Sequence, residues 1–275
     1  MDLFIPSSSG IFVILADFLE PRDLSALSHT ARKFSKACDI QYIFHPCDDG
    51  STGDPLDLSR FYNAKSVSYY GASMEDEDNF YFLKLKSLTR ITINDGKLHT
   101  LQGFETMTNL RILNLDANEF EEDLSPIANL HNLRVLNISC TGTTDISPLK
   151  NLYNLIELDL SANDIDDLSP LANLTNLQIL DLNCCENDFH LLCNLVNMRK
   201  LRIYSQEYDA DLDYLTNMHN LEVLKITSGK SCKNMHLLDN FKKLYKIDIT
   251  EYFCKENHRT AKWNKRKIEK LNNDK

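Results

Sequence analysis

A Leu-x-x-Leu-x-Leu frame returns every 21 to 23 residues through most of this 275-residue chain. It is clearest at residues 109–115, Asn-Leu-Arg-Ile-Leu-Asn-Leu. A degenerate copy at Ala64, Val67 and Tyr69 precedes the full ones. The full copies begin at Leu88, Leu110, Leu133, Leu155, Leu177, Met198, Leu221 and Leu244. Self-similarity at this period predicts an array of stacked coils, each of which buries its leucines against the next.

The second half of each copy is also regular, since Asp-x-Ser-Pro-x-x-Asn-Leu recurs from Asp123, Asp145 and Asp167. Proline lacks a backbone donor and is favoured in the first turn of a helix, so these segments predict short helical turns on the convex side. Together the two halves resemble leucine-rich repeats of the 22-residue subclass found in a phosphatase regulatory subunit and in internalins. The resemblance implies an α/β repeat solenoid, a horseshoe with a parallel concave sheet.

A turn is predicted after each strand. Asn118 and Asn163 occupy the turn position in two copies, where a side-chain amide can satisfy backbone groups of neighbouring coils. The position just before the turn asparagine holds small residues in four copies: Ala117, Cys140, Ala162 and Cys184. We therefore predict that Cys140 and Cys184 are small, buried thiols. No spacing among the eight cysteines matches a zinc site, so we predict no metal.

Composition excludes several classes of function. Hydrophobic residues make up 43% of the chain and the formal net charge is −10, which is typical of a soluble globular protein and disfavours nucleic-acid binding. No apolar run approaches the roughly 18 residues of a membrane span, and the short run at residues 11–16 lacks the features of a signal peptide. We therefore expect no membrane association and a cytoplasmic location, or the host cytoplasm for a pathogen-encoded protein.

The sequence also gives no indication of catalysis. The chain has eight glycines and no phosphate-binding loop. Asp159 and Asp181 form a carboxylate pair, but a flat sheet without an enclosing pocket is a poor place to raise a pKa for acid–base chemistry. We predict no catalytic residue, no cofactor and no enzyme activity.

Residues 1–40 do not repeat. Ile11, Leu15 and residues 18–19 have helical spacing, Pro21 ends that helix, and residues 24–34 predict a second one. The segment Leu-Glu-Pro-Arg-Asp-Leu at 19–24 and Arg-Lys-Phe at 32–34 resemble an F-box, which docks a Skp-family adaptor of a cullin-RING ubiquitin ligase. By position in that motif, the candidate adaptor contacts are Pro6, Leu15, Leu19, Pro21 and Leu24. The alternative is that these residues only cap the open end of the solenoid.

Side chains alternate along a strand, so the residues between the leucines are predicted to point to the concave face. The column inside Leu-x-Leu reads Thr92, Asn114, Asn137, Asp159, Asp181, Arg202, Lys225 and Asp248. Its charge changes sign midway, and like charges on neighbouring strands repel unless a partner compensates them. Such a bipolar sheet suits a protein of complementary charge. Our candidates for partner binding are Asp116, Asp159, Asp181, Lys200, Arg202, Tyr204 and Lys225.

Four segments are thus predicted: F-box-like helices at 1–40, a turn-rich linker at 41–60, eight or nine repeats at 61–254, and a basic helical cap or tail at 255–275. The predicted function is binding of a target protein by the substrate receptor of a ubiquitin ligase, a monomer outside its complex. The alternative is a repeat scaffold that regulates a phosphatase or another enzyme without any ubiquitin connection.

Overall fold

The computed structural model describes residues 5–6, 12–15, 40–44, 65–70, 81–120, 123–165, 167–184, 189–205, 210–228 and 232–251. Its contacts divide the chain into two compact units, Met1–Thr141 (unit 1) and Gly142–Lys275 (unit 2). Within the described residues, none of the helices has the length and apolar character needed to cross a lipid bilayer.

Unit 1 is built on a sheet whose strands stack in chain order. Its described strands are β1 (Ile5–Pro6), β2 (Phe12–Leu15), β3 (Ile40–Phe44), β4 (Ser66–Tyr70), β5 (Arg90–Asn94), β6 (Ile112–Asn114) and β7 (Val135–Asn137). Strand β1 pairs antiparallel with β2, and every later strand pairs in parallel with the one before it. Successive copies of the frame align, so Leu113 lies beside Ile91 on one side and Leu136 on the other.

The N-terminal segment departs from the prediction. Phe12–Leu15, which we expected within the first helix, forms a strand and pairs with Ile40–Phe44. The sequence Phe-Val-Ile-Leu is rich in aromatic and β-branched residues, and pairing in the sheet satisfies its backbone groups, so the strand prevails over the helical spacing. The predicted helix is therefore wrong for these residues. Pro6 lies in β1 and Leu15 ends β2, whereas Leu19, Pro21 and Leu24 lie outside the described residues.

Unit 2 repeats the same arrangement. Its described strands are β8 (Glu157–Ile165), β9 (Ile179–Cys184), β10 (Lys200–Ser205), β11 (Ala210–Asp211), β12 (Val223–Ser228), β13 (Cys232–Lys233) and β14 (Lys246–Glu251). Strands β8, β9, β10, β12 and β14 pair in parallel in that order. The short strands β11 and β13 form a separate parallel pair.

The leucine frame forms the core of both units, as predicted. Leu110, Leu113 and Leu115 of one coil are 0% exposed in unit 1, and Leu177, Leu180 and Leu182 are 0% exposed in unit 2. Full burial of such a side chain contributes about 1.5–3 kcal/mol. Stability is therefore distributed along the array, one coil at a time, which is the expected behaviour of a repeat protein.

Short 3₁₀ helices connect the strands, which confirms the predicted helical turns. They span Tyr81–Lys84, Phe104–Thr106, Ser125–Ile127, Ser147–Asn151, Ser169–Leu171, Phe189–Asn194, Leu212–Leu215 and Met235–Asn240. At the first Asp-x-Ser-Pro segment, the Ser125 N–H donates to Asp123 Oδ1 at 2.8 Å and the Ser125 hydroxyl to Asp123 Oδ2 at 2.9 Å. These hydrogen bonds lower the pKa of Asp123, so the ionised carboxylate is the form that starts the helix.

The predicted asparagine turn is also confirmed. Asn118 is 1% exposed. Its Oδ1 accepts from the N–H groups of Gly96 and Leu98 on the preceding coil, both at 3.1 Å. Its amide donates to the carbonyls of Ile93 and Leu115 at 2.7 and 2.8 Å. Asn163 in unit 2 is 3% exposed and accepts from Thr143 N at 3.1 Å.

A second row of asparagines, which sequence reasoning missed, lies just before the strands. In each case the amide Nδ2 donates to a backbone carbonyl of the preceding coil, at 2.8–3.5 Å. The pairs are Asn109 with Lys86, Asn132 with Thr108, Asn176 with Tyr153, Asn197 with Thr175, and Asn220 with Val196. Unlike Asn118, these side chains lie at the surface, so they bind coil to coil from outside the core.

The small-residue column corrects one prediction. Ala117, Cys140 and Ala162 have left-handed backbones, with φ of 54°, 52° and 54°. The Cys140 side chain is exposed, so its prediction as a buried thiol is wrong. A left-handed turn directs the chain into the asparagine position, and the residue before that position is left outside the packed interior.

Candidate protein-binding site

The strands of unit 2 align charged residues in one row across the sheet. Asp159 lies beside Asp181, Asp181 beside Arg202, Arg202 beside Lys225, and Lys225 beside Asp248. Because neighbouring strands are about 4.8 Å apart, the row spans roughly 19 Å. We call these five residues the charged row.

A second row lies on the same face, two residues closer to the beginning of each strand. Lys200 pairs with Ile179 on one side and with Val223 on the other, and Val223 pairs with Lys246. Toward the other end of the strands, Tyr204 lies beside Thr227. Lys200, Lys246 and Tyr204 therefore flank Arg202 and Lys225 on the same face.

The acidic residues of the predicted site already accept hydrogen bonds from their own chain. Asp159 Oδ1 accepts from the Ser161 N–H at 3.0 Å and from the Ser161 hydroxyl at 2.6 Å. In unit 1, Asp116 Oδ1 accepts from the Ser139 hydroxyl at 2.6 Å. Because these carboxylates are already hydrogen-bonded within the chain, they offer less to a partner.

Asp181 forms an ion pair within the row. Arg202 Nη1 donates to Asp181 Oδ2 at 2.9 Å, with the Asp181 side chain 22% exposed and that of Arg202 57% exposed. Burial raises the pKa of the Asp181 carboxyl, and the nearby charge of Asp159 adds to this, while the hydrogen bond and charge of Arg202 and the charge of Lys225 act against it. The predicted change of sign between Asp181 and Arg202 is therefore an internal ion pair.

The lysines of this face, unlike the carboxylates, are not occupied by hydrogen bonds within the described residues. Lys200, Lys225 and Lys246 are exposed, and in the part of the chain that the structure describes their ammonium groups make no hydrogen bond or ion pair. A depression of about 520 Å³ opens on this face, and its lining includes Arg202, Lys225, Lys246, Tyr204, Val223 and Asp248. The depression offers cations around an aromatic and an aliphatic side chain.

The structure thus brings most of the predicted partner-binding residues together, but not all. Asp159, Asp181, Lys200, Arg202, Tyr204 and Lys225 share one sheet face in unit 2, whereas Asp116 belongs to unit 1. Lys246, Asp248 and Val223 line the depression although we had not selected them. These three residues occupy the same sequence columns in the last two repeat copies, so the periodicity alone could have identified them.

A second depression lies in unit 1. It has a volume of about 450 Å³ and is lined by residues of two connecting segments, among them His99, Glu105, Phe120 and Asp123. Among the described residues, no group of three or more His, Cys, Asp or Glu side chains is placed to hold a metal ion.

Comparison with known proteins defines the class of this chain. The family model described as "Leucine-rich repeat region" matches residues 84–274, and the chain belongs to this family. No curated protein gives a significant match. The family membership identifies the protein as a leucine-rich-repeat interaction scaffold.

Three solved structures of bacterial proteins share this fold. The chain is similar to internalin C2 of Listeria monocytogenes, with a TM-score of 0.63 and 26% identity over 70% of this chain and 84% of that one. It is also similar to the internalin InlF of the same species, with a TM-score of 0.60 and 21% identity over 86% and 79% of the two chains. A leucine-rich-repeat protein of Leptospira interrogans has a TM-score of 0.59 and 21% identity over 72% and 52%.

Proposed function

We propose that this protein is a non-catalytic scaffold that binds another protein on the sheet face of unit 2. One observation carries the proposal: Lys225 and Lys246 line the depression, Lys200 lies on the same face, and none of the three forms a hydrogen bond or ion pair with the described residues, whereas Asp159 and Asp181 are already hydrogen-bonded. Arg202 and Lys225 lie one strand spacing apart, where like charges repel each other. A partner that presents carboxylates removes this repulsion on binding.

The same face offers apolar contact at the centre of the charges. Tyr204 and Val223 line the depression between the cations, and tyrosine and arginine are enriched among residues that dominate binding energy. The expected partner is therefore a protein segment with acidic side chains around an apolar one. Electrostatic complementarity of this kind raises the association rate and selects against basic partners.

The test compares two charge-reversed variants in quantitative affinity purification. Lys225→Glu with Lys246→Glu inverts the site, whereas Lys150→Glu with Lys242→Glu makes the same charge change at exposed positions outside it. We expect a protein that wild type and the control retain equally and that the site variant loses by roughly tenfold or more. Equal retention of every bound protein by all three chains contradicts the proposal.

A second candidate is the receptor role in a cullin-RING ubiquitin ligase, with residues 1–40 docking a Skp-family adaptor. The Leu-Glu-Pro-Arg-Asp-Leu pattern at 19–24 supports it, and the strand at Phe12–Leu15 weighs against it because it replaces the motif's first helix. The sheet face of unit 2 therefore remains the principal proposal.

Co-purification with a Skp-family adaptor tests the second candidate. Wild type is expected to retain the adaptor, Leu19→Asp with Leu24→Asp to lose it, and Lys225→Glu with Lys246→Glu to keep it. If wild type binds no adaptor, the receptor role is wrong. Co-purification of a phosphatase instead supports the alternative scaffold role.

A further inference from the structure

A strip of basic residues crosses the sheet of unit 1 where its strands begin. Four successive coils each contribute one cation: Lys65, Arg90, Arg111 and Arg134. We call these residues the basic strip. The backbone aligns Lys65, Thr89, Arg111 and Arg134, because Thr89 N donates to Lys65 O at 2.9 Å, Arg111 N to Thr89 O at 2.8 Å, and Arg134 N to Arg111 O at 2.8 Å. Arg90 lies one residue further along its strand, beside Ser66 and Ile112.

The three arginines of the strip lack compensation. Arg90, Arg111 and Arg134 are exposed, and among the described residues no side chain forms a hydrogen bond or ion pair with their guanidinium groups. Lys65 Nζ donates to the Ser87 carbonyl at 3.4 Å. Asp116 lies five residues beyond Arg111 along the strand, about 16 Å away, which is too far for an ion pair.

Unit 2 shows what the same position can bind. Glu222 N donates to Arg199 O at 2.8 Å, so Arg199 and Glu222 are related as Arg111 and Arg134 are in unit 1. There the guanidinium and the carboxylate form a two-point pair, Nε to Oε1 at 2.9 Å and Nη2 to Oε2 at 3.1 Å. The coil spacing therefore suits a guanidinium and a carboxylate side by side, and unit 1 places a second guanidinium where the carboxylate would be.

We propose that the basic strip binds an acidic segment of a protein partner, whose glutamate or aspartate carboxylates pair with Arg111 and Arg134 as Glu222 pairs with Arg199. The planar fork of arginine fits a carboxylate at two points. Arg111 and Arg134 lie one strand spacing apart, about 4.8 Å, so one short extended peptide can reach both. A nucleic acid is disfavoured because the whole chain carries a net charge of −10, which repels a long polyanion.

Fluorescence anisotropy with a labelled (Glu-Ala)₄ peptide tests this surface. All full-length chains carry Lys225→Glu and Lys246→Glu, so that the proposed unit 2 site does not contribute. Arg111→Gln with Arg134→Gln is expected to weaken binding about tenfold, through loss of two exposed ion pairs. Arg199→Gln with Lys243→Gln removes the same two charges from unit 2 and is expected to change the affinity less than about twofold.

Conservative variants and competing ligands complete the test. Arg111→Lys with Arg134→Lys keeps the charge but not the two-point geometry, and an intermediate loss of about threefold is expected. The proposal is overturned if both glutamine variants weaken binding equally, if (Gln-Ala)₄ binds as well as (Glu-Ala)₄, or if the parent chain binds neither. It is also overturned, in favour of a nucleic-acid surface, if an octamer of deoxythymidylate binds as tightly as the acidic peptide and is lost with the same arginines.

Discussion

Unit 1 and unit 2 are built from the same repeat but balance their charges differently. Before the strands of unit 2, Arg199 meets Glu222 on the next coil. At the same position in unit 1, Arg111 is followed by Arg134. The same column therefore forms an ion pair between coils in unit 2 and leaves cations exposed in unit 1. The repeat determines where a surface side chain lies, and the residue type at that position determines what it can bind.

The largest expected effect lies in unit 1, in the buried amide of Asn118. Replacing Asn118 with Ala leaves the N–H groups of Gly96 and Leu98 and the Ile93 carbonyl without their partner, and the expected loss is about 3 kcal/mol in urea unfolding. Hydrogen exchange is expected to rise around these residues before it rises in unit 2, since coils couple mainly to neighbours. The exposed Asn109→Ala is the control and is expected to lose under about 1 kcal/mol. Equal losses for the two variants contradict this account.

The ion pair of Asp181 and Arg202 in unit 2 is expected to contribute little to stability. The pKa of Asp181 is raised above its ordinary value of 3.8, so the folded state holds the proton more firmly and loses stability as pH rises above about 4. Asp181→Asn is therefore expected to match wild type or exceed it by up to about 1 kcal/mol at pH 7, and to lose this advantage at pH 3. A clear loss of stability of Asp181→Asn at pH 7, measured by denaturant titration, contradicts this prediction.

The left-handed turns are common to both units and should respond equally. Ala117→Gly in unit 1 and Ala162→Gly in unit 2 replace residues of equal φ, 54°, and each is expected to stabilise by about 0.5 kcal/mol because glycine adopts this conformation without a Cβ clash. Ala128 and Ala172, each with φ of −56°, are matched controls, and glycine there is expected to destabilise. Thermal unfolding measures all four, and opposite signs for Ala117 and Ala162 argue against a shared turn.

The smallest effect is expected for the exposed pair that distinguishes the two units. The hydrogen bond from Arg199 lowers the pKa of Glu222 below its ordinary value of 4.5. The stability from this pair is therefore present above pH 4.5 and is lost as pH falls through the lowered pKa. Glu222→Gln is expected to reduce the urea midpoint slightly at pH 7 and by less at pH 3, whereas Arg111→Gln is expected to cause no loss at either pH. A loss for Arg111→Gln equal to that for Glu222→Gln removes the contrast between the units.

Periodicity determined which features of the structure could be predicted from the sequence. The leucine columns, the 3₁₀ turns at Asp-x-Ser-Pro and the role of Asn118 follow from residues that recur at one spacing. The strand at Phe12–Leu15 was missed because an apolar run of this length fits a helix or a strand, and pairing with Ile40–Phe44 decides between them. The order of residues in the charged row was predictable. The ion pair of Asp181 and the hydrogen bonds of Asp159 depend on side-chain orientation and burial, which the sequence alone does not specify.

The surface asparagines give the array a direction. In every pair described, the asparagine donates to a carbonyl of a coil that comes earlier in the chain, as Asn132 does to Thr108 and Asn197 to Thr175. During synthesis, which runs from the N-terminus, the acceptor of each of these asparagine hydrogen bonds is therefore made before its donor. The buried amide of Asn118 differs, because the N–H groups of Gly96 and Leu98 on the preceding coil have no such acceptor until Asn118 is made.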